Sequence, residues 1–216
     1  MIITIDGPSG SGKSTTARLL AHSLGFEFLD TGSMFRALAL HFLRRGISAD
    51  QSPLTPALAE TIIRVEPGRV WVNDEELTER IRTPEVTSAS SRIAVHPEVR
   101  EFLAAQQRRV ATNRDVVTEG RDQGTAVFPD AGVKFFLTAN PEVRAERRCL
   151  ELRQRGEDVT AREVLGDLLE RDRRDSSRDV APLKAAEDAI AIDTSELTLD
   201  GVLAVMEREV RRCIDA

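Results

Sequence analysis

The chain has 216 residues, 41% hydrophobic and 31% charged, with a formal net charge of -6. That length allows one domain, or one domain with an insertion, and the apolar share suffices for a packed core. The acidic balance argues against a protein that tracks a phosphate backbone over a long surface, so no nucleic-acid partner is expected.

Cys149 and Cys213 are the two cysteines and form no CxxC pair, which excludes a zinc or redox motif of that type. Met1 to Asp6 lacks the basic start and long apolar run of a secretory signal, and no stretch of about 18 apolar residues is present. A cytoplasmic protein that stays off the membrane is expected.

Short apolar β runs alternate with amphipathic helical stretches, the pattern of a parallel sheet covered by helices. Ile2 to Ile5 reads as a first strand, Lys13 to Leu24 as a helix ended by Gly25, and Phe26 to Leu29 as a second strand. Ser33 to Arg45 reads as a second helix, ended by Gly46. The rhythm then breaks. Pro67-Gly68 and Asn73-Asp74 are turn signals on either side of Arg69 to Val72, which predicts a small antiparallel β element inserted at 62–84. Val116 to Thr118 and Val133 to Thr138 are further strands. Pro141 opens a helix that runs to Arg155 and stops at Gly156, and Ala189 to Ile192 and Leu199 to Arg212 are a last strand and helix. His22, His41 and His96 are widely spaced and form no ligand pattern, and Trp71 reads as packing on the inserted strand.

Gly7-Pro8-Ser9-Gly10-Ser11-Gly12-Lys13-Ser14 matches G-x-x-x-x-G-K-[ST] in full and lies between a predicted strand and a predicted helix. Glycines let successive N–H groups converge on one hollow, and the helix N-terminus adds partial positive charge there. Lys13 is placed to reach the β- and γ-phosphates of a nucleotide, and the Ser14 hydroxyl suits Mg²⁺. Three classes of protein use such a loop. A GTP-driven switch would carry an Asn-Lys-x-Asp segment, which this chain lacks. An ATP-driven motor would carry a strand ending in one or two acids; Val116-Val117-Thr118-Glu119 is the nearest match and leaves that class open. The third class is a small-molecule kinase.

A kinase acting on a phosphorylated acceptor needs cations for both the acceptor phosphate and the moving phosphoryl. Three arginine–acid clusters supply them: Asp30-Thr31-Gly32-Ser33-Met34-Phe35-Arg36 after the second strand, Glu119-Gly120-Arg121-Asp122 after the third, and Arg171 to Arg178 after a predicted helix. The first two fall beyond strand C-termini, where open α/β sheets bind ligands.

These segments, together with Ile81-Arg82-Thr83, Glu85-Val86, Gly124-Thr125, Val127 to Ala131 and Val180-Ala181-Pro182-Leu183, resemble the bacterial cytidylate kinase family over nearly the whole chain. The resemblance implies an α/β P-loop kinase core of about five parallel strands with flanking helices. It also implies an inserted antiparallel β element in a region that binds the nucleoside monophosphate, and a short lid at 154–167. The substrates implied are ATP and CMP or dCMP, with Mg²⁺, handled by a single domain over 1–216 that works as a monomer. By similarity, Gly7 to Thr15, namely Gly7, Pro8, Ser9, Gly10, Ser11, Gly12, Lys13, Ser14 and Thr15, would hold ATP, and Ser14 the metal. Thr31, Arg36, Ser91, Arg100, Arg121, Asp122, Arg171, Asp175 and Arg178 would form the acceptor site. Arg36 and Arg121 would grip the CMP phosphate with Arg171 nearby, Arg100 and Asp122 would read the cytosine edge with Ser91, and Asp175 and Arg178 would hold the sugar. Lys13, Arg121 and Arg171 would be catalytic. Against the family pattern, Phe35 replaces Tyr, Thr31 replaces Ser, Glu119 replaces Asp, and Ser176-Ser177 replaces more basic residues. A kinase for another small acceptor, such as a shikimate-like hydroxy acid, and a nucleotide-binding regulatory module are the remaining alternatives.

Overall fold

The computed structural model describes residues 1–48 and 53–214. Its strands are β1 (Ile2–Asp6), β2 (Glu27–Asp30), β3 (Ile63–Glu66), β4 (Arg69–Val72), β5 (Glu75–Glu76), β6 (Val116–Gly120), β7 (Val133–Thr138) and β8 (Ile190–Asp193). Its helices are α1 (Lys13–Leu24), α2 (Thr31–Arg44), α3 (Thr55–Ala59), α4 (Pro84–Ile93), α5 (Pro97–Ala111), α6 (Pro141–Gln154), α7 (Ala161–Ser176) and α8 (Leu199–Ile214), with a π-helical turn at Gln123–Val127. The chain divides into two compact units, one of Met1–Phe28 with Asp115–Ala216 and the other of Leu29–Arg114.

The first unit is built around a five-stranded sheet in the order β2-β6-β1-β7-β8, in which β1 pairs in parallel with β6 and β7, and β7 with β8. The central strands are buried, with an apolar face packed on α1 and α8 and a polar face that carries Thr4, Thr118 and Lys134. Ile3, Ile5, Val117, Phe135 and Leu137 are buried with Leu20 of α1 and with Val202, Met206 and Val210 of α8. Every element read from this part of the sequence is present, with ends displaced by one or two residues. α6 and α7 form a hairpin closed by Ala145, Cys149, Val164 and Leu168. α7 starts at a capping box, in which Thr160 accepts from the Glu163 N–H while the Glu163 carboxylate accepts from the Thr160 N–H.

In the second unit, β3, β4 and β5 form the expected small antiparallel sheet. Asn73 and Asp74 both have positive φ, 48° and 67°, the pair of left-handed residues that a tight hairpin turn needs. Trp71 is a packing residue: it is 8% exposed, with the Arg64 guanidinium 3.9 Å over its ring. α2 begins at Thr31, two residues before the position predicted. Asp30, with φ −80° and ψ 90°, is the N-cap, and its side chain accepts from the Ser33 N–H, so Thr31 and Gly32 are taken into the first turn. α4 and α5 occupy 84–93 and 97–111, a stretch that the strand-and-helix pattern left unassigned. Both carry proline in the first turn, and α4 is capped by Thr83 accepting from the Val86 N–H.

Candidate functional site

The phosphate loop leaves β1 at Gly7 and enters α1 at Lys13. Gly7 has φ +145°, and a Cβ there would lie 2.0 Å from the Leu137 carbonyl oxygen, so glycine is obligatory. Gly10 has φ +78° and lies against the Arg144 backbone, 3.0 Å from a Cβ it does not carry. Three loop carbonyls accept side-chain hydrogen bonds. Lys13 Nζ donates to Pro8 O at 2.6 Å, Arg144 donates to Ser9 O at 3.0 Å, and the Thr194 hydroxyl donates to Ser11 O at 3.2 Å. With its carbonyls so occupied, the loop keeps N–H groups for a ligand. α1 adds to this, since its N-cap makes no side-chain hydrogen bond and its first turn holds no acid.

Ser14 is exposed, and its hydroxyl donates to Glu119 at 2.9 Å. An alcohol and a carboxylate brought together are hard oxygen donors of the kind Mg²⁺ takes, and the substitution of Glu119 for Asp leaves the two within reach. Lys13 is buried, and its pKa is lowered to about 7, first by burial and then by the charge of Arg121; Glu119 pulls the other way, and Arg171 adds to the depression.

Arg121 and Asp122 follow β6. Arg121 Nε donates to Asp175 Oδ2 at 3.0 Å, and its NH1 donates to Gly120 O. Burial opposes its charge, but Asp175 and Glu119 outweigh burial and its pKa is raised. Asp175 is 1% exposed and also pairs with Arg178 and, at 3.9 Å, with Arg171. Burial alone would raise the Asp175 carboxyl; Arg121, Arg178 and Arg171 hold it below the ordinary range instead. The sequence placed this last cluster after a helix. In the structure Arg171 to Ser176 form the final turns of α7 and Arg178 lies just beyond, because Arg171 and Asp175 pair at i,i+4 spacing and extend the helix.

The second unit carries the other acceptor candidates. Arg36 donates to Asp30 at 3.3 Å, and Arg82 lies 3.9 Å from the same carboxylate oxygen. Thr31 is buried in the first turn of α2. Arg100, 7% exposed, donates to Ala94 O at 3.0 Å, and its guanidinium stands 5.7 Å from the Phe35 ring centre. Phe35 thus keeps a cation–π contact in place of a hydroxyl. Ser91 is 4% exposed, and its hydroxyl has no hydrogen-bond partner among the described residues. A buried hydroxyl left unsatisfied costs about 1–3 kcal/mol, which a bound ligand would recover.

Sequence reasoning did not single out Arg144 or Thr194, which brace the loop. No motif marks them, since their roles depend on α6 and the end of β8 folding back onto a segment more than a hundred residues earlier.

A parallel sheet with this loop between its central strand and α1, and a lysine and arginines gathered beyond the strand ends, defines the P-loop kinase class. The fold is shared with solved kinases: a gluconokinase from Sinorhizobium meliloti 1021 (TM-score 0.51, 18% identity, 98% of this chain and 91% of that one) and a shikimate kinase from Bacteroides thetaiotaomicron (TM-score 0.51, 12% identity, 98% of each). Within that class the chain belongs to the cytidylate kinase family, whose sequence model matches residues 3–212. It is 46% identical to a cytidylate kinase of Rhodopirellula baltica over 100% of this chain and 95% of the relative, and 44% identical to one of Fervidobacterium nodosum over 98% and 97%. As a member of a kinase family it uses ATP as phosphoryl donor. No helix among the described residues is long and apolar enough to cross a membrane.

Proposed function

We propose that this protein transfers the γ-phosphoryl of ATP to CMP or dCMP, giving ADP and the cytidine diphosphate. One observation carries the reading beyond family membership. The lysine of the phosphate loop lies in one electrostatic neighbourhood with Arg121 and Arg171, two of the arginines assigned to the acceptor, close enough for them to depress its pKa. Such an excess of positive charge is costly without ligand and suits two phosphorylated substrates brought together.

The acceptor phosphate is itself the nucleophile. An oxygen of CMP attacks the γ-phosphorus of ATP, the bond to the β–γ bridging oxygen breaks, and ADP leaves. No enzyme nucleophile is needed, so the chain contributes positioning and charge. The loop N–H groups and Lys13 hold the donor phosphates. Arg121 and Arg171 neutralise the transferring group, and Arg36 and Arg121 hold the CMP phosphate. Ser14, beside Glu119, would hold Mg²⁺, which when bound offsets charge on the β- and γ-phosphates. Asp122 accepts from the cytosine amine while Arg100 and Ser91 donate to its acceptors. Uracil offers a carbonyl in place of the amine and faces Asp122 with repulsion. Thr31, Asp175 and Arg178 complete the acceptor set around the phosphate and sugar. The segment 154–167, from the end of α6 through the connection into the first turns of α7, acts as a lid that excludes water. The protein acts as one monomeric kinase domain in the cytoplasm, a setting that suits its two free cysteines.

The test is ADP formation with ATP and Mg²⁺ against CMP, dCMP, UMP, AMP, GMP and shikimate. Turnover concentrated on the cytidine acceptors is expected. Preference for another acceptor would leave the fold standing and remove the roles given to Arg100, Asp122 and Ser91.

A further inference from the structure

The carboxylate that ends β1 has no part in the mechanism above, yet its contacts are specific. Asp6 is 4% exposed; Oδ1 accepts the N–H of Gln123 at 2.9 Å and Oδ2 accepts the N–H of Gly124 at 2.7 Å. These two amides open the π-helical turn that directly follows Arg121 and Asp122. The turn is closed by the Asp122 carbonyl, which accepts from Ala126 at 2.9 Å and Val127 at 3.2 Å, and by Gln123 O, which accepts from Phe128 at 2.7 Å. π turns are rare and frequent at functional sites, since the wider ring re-aims the residues beside it.

The segment has little slack. The Thr118 hydroxyl donates to Gln123 Oε1 at 2.9 Å, a Cβ on Gly120 would stand 2.7 Å from Gln123 Cγ, and one on Gly124 would stand 2.9 Å from Thr4 Oγ1. Asp6 is also the residue before Gly7, so its backbone leads into the phosphate loop while its carboxylate holds the segment that follows Arg121 and Asp122. Two converging amides need two acceptor oxygens, and an ionised carboxylate supplies them. An asparagine would supply one and point an N–H at the other amide.

We propose that Asp6 is a positioning residue for the acceptor: by capping the Gln123 and Gly124 amides it sets where Arg121 and Asp122 stand, and with them the preference for cytidine over uridine monophosphate. The inference rests on the roles given above to Arg121 and Asp122. Displacements of about 1 Å near a reacting centre can cost on the order of a hundredfold in rate, so a loosened turn has a measurable effect.

The experiment is steady-state kinetics of the full chain and Asp6→Asn, with ATP varied at fixed CMP and with CMP and UMP each varied at saturating ATP, below the melting temperature of both proteins. KM for CMP is expected to rise about tenfold and the CMP/UMP ratio of kcat/KM to fall at least about fivefold, with KM for ATP within about twofold of wild type. An unchanged CMP/UMP ratio overturns the proposal. So does an effect on ATP as large as that on CMP, because Asp6 would then act through the phosphate loop or on stability alone. If Asp6→Asn does not fold, Asp6→Ser, which keeps an acceptor and adds no bulk, is read by the same criteria; failure of both to fold makes Asp6 a folding residue and overturns the proposal. Wild type that does not use CMP would sink the proposed function and this inference with it. Wild type that uses CMP, with variants that keep its selectivity, sinks the inference alone.

Discussion

Asp175→Asn tests whether the arginine cluster is held together by one carboxylate. In the wild type that carboxylate is 1% exposed, hydrogen-bonded to Arg121 at 3.0 Å and paired with Arg178, whose side chains are 16% and 5% exposed. Arg171, at 3.9 Å and 26% exposed, contributes least. Removing one partner of a buried ion pair typically costs about 3–5 kcal/mol, and the amide oxygen that asparagine retains recovers about 1 kcal/mol as a neutral hydrogen bond. A net loss of about 3 kcal/mol is expected, which for a chain of this size corresponds to a fall in Tm of roughly 6–12 °C. The sign of the pH dependence follows from the depressed pKa. Asp175 contributes stability that is complete above its ordinary value of 3.8 and is lost as pH falls through the lower folded value. The gap between wild type and variant is therefore full at pH 7.5 and closes only below pH 3.8. Calorimetric scans without nucleotide at low salt, at pH 7.5 and on acid titration, measure both. Inorganic phosphate should stabilise the variant more than the wild type, because it replaces the missing anion. A fall in Tm below about 2 °C at pH 7.5, or a gap that closes already near pH 6, would refute the reasoning.

Three further substitutions separate the parts of the site. Lys13→Ala should lower turnover with every acceptor by at least about a hundredfold, measured as ADP release, since it removes the cation at the transferring phosphoryl. Glu119→Gln keeps a hydrogen-bond acceptor for Ser14 but removes its charge, and should raise the Mg²⁺ concentration for half-maximal rate by about tenfold, read from a metal titration at fixed ATP. Asp122→Asn should erode the CMP/UMP ratio of kcat/KM, because an amide can donate to the uracil carbonyl as well as accept from the cytosine amine; an unchanged ratio removes Asp122 from base reading.

The legible parts of the fold were those set by local chemistry. Lys13 to Leu24 and Val133 to Thr138 were bounded correctly because Gly25 adopts a left-handed cap and because Val133, Phe135, Phe136 and Leu137 make a short β-prone apolar stretch. The hairpin at Asn73-Asp74 was legible because few residue pairs accept two positive φ angles. α4 was not read, since Thr87, Ser88, Ser90 and Ser91 give a weakly apolar stretch whose helicity rests on the Thr83 cap and on packing of Val86 and Ile93. The phosphate loop was legible in full, but its bracing was not. Arg144 looks like one more charge in the run Arg-Ala-Glu-Arg-Arg, and only the fold shows it 4% exposed, joined to Ser9 O and, at 2.6 Å, to Asp172. Asp6 stood just before the phosphate-loop motif without a role, because its partners lie 117 and 118 residues away.

The two kinds of cation in the first unit answer an arriving phosphate differently, and that difference can be measured. The guanidiniums of Arg121 and Arg178 already face Asp175 and stay charged at any working pH. Lys13 is bonded to two neutral oxygens, Pro8 O and Ser11 Oγ, and burial with Arg121 nearby lowers its pKa to about 7. At pH 8 it is mostly neutral. Donor phosphates beside it raise that pKa again, so binding of ATP takes up a proton, roughly nine-tenths of one at pH 8. ATP affinity should accordingly fall by up to about tenfold for each pH unit above 7, until the pKa of the bound state is reached. CMP, whose phosphate is doubly ionised above a pKa of roughly 6 and which meets arginines, acts on Lys13 only by offsetting Arg121 and Arg171 and should take up less of a proton at pH 8 than ATP. Titration calorimetry at pH 8 in two buffers of different ionisation enthalpy reads the proton count for each ligand. No proton uptake with ATP would show that Lys13 is already charged in the free protein, and that burial and its cationic neighbours do not govern it.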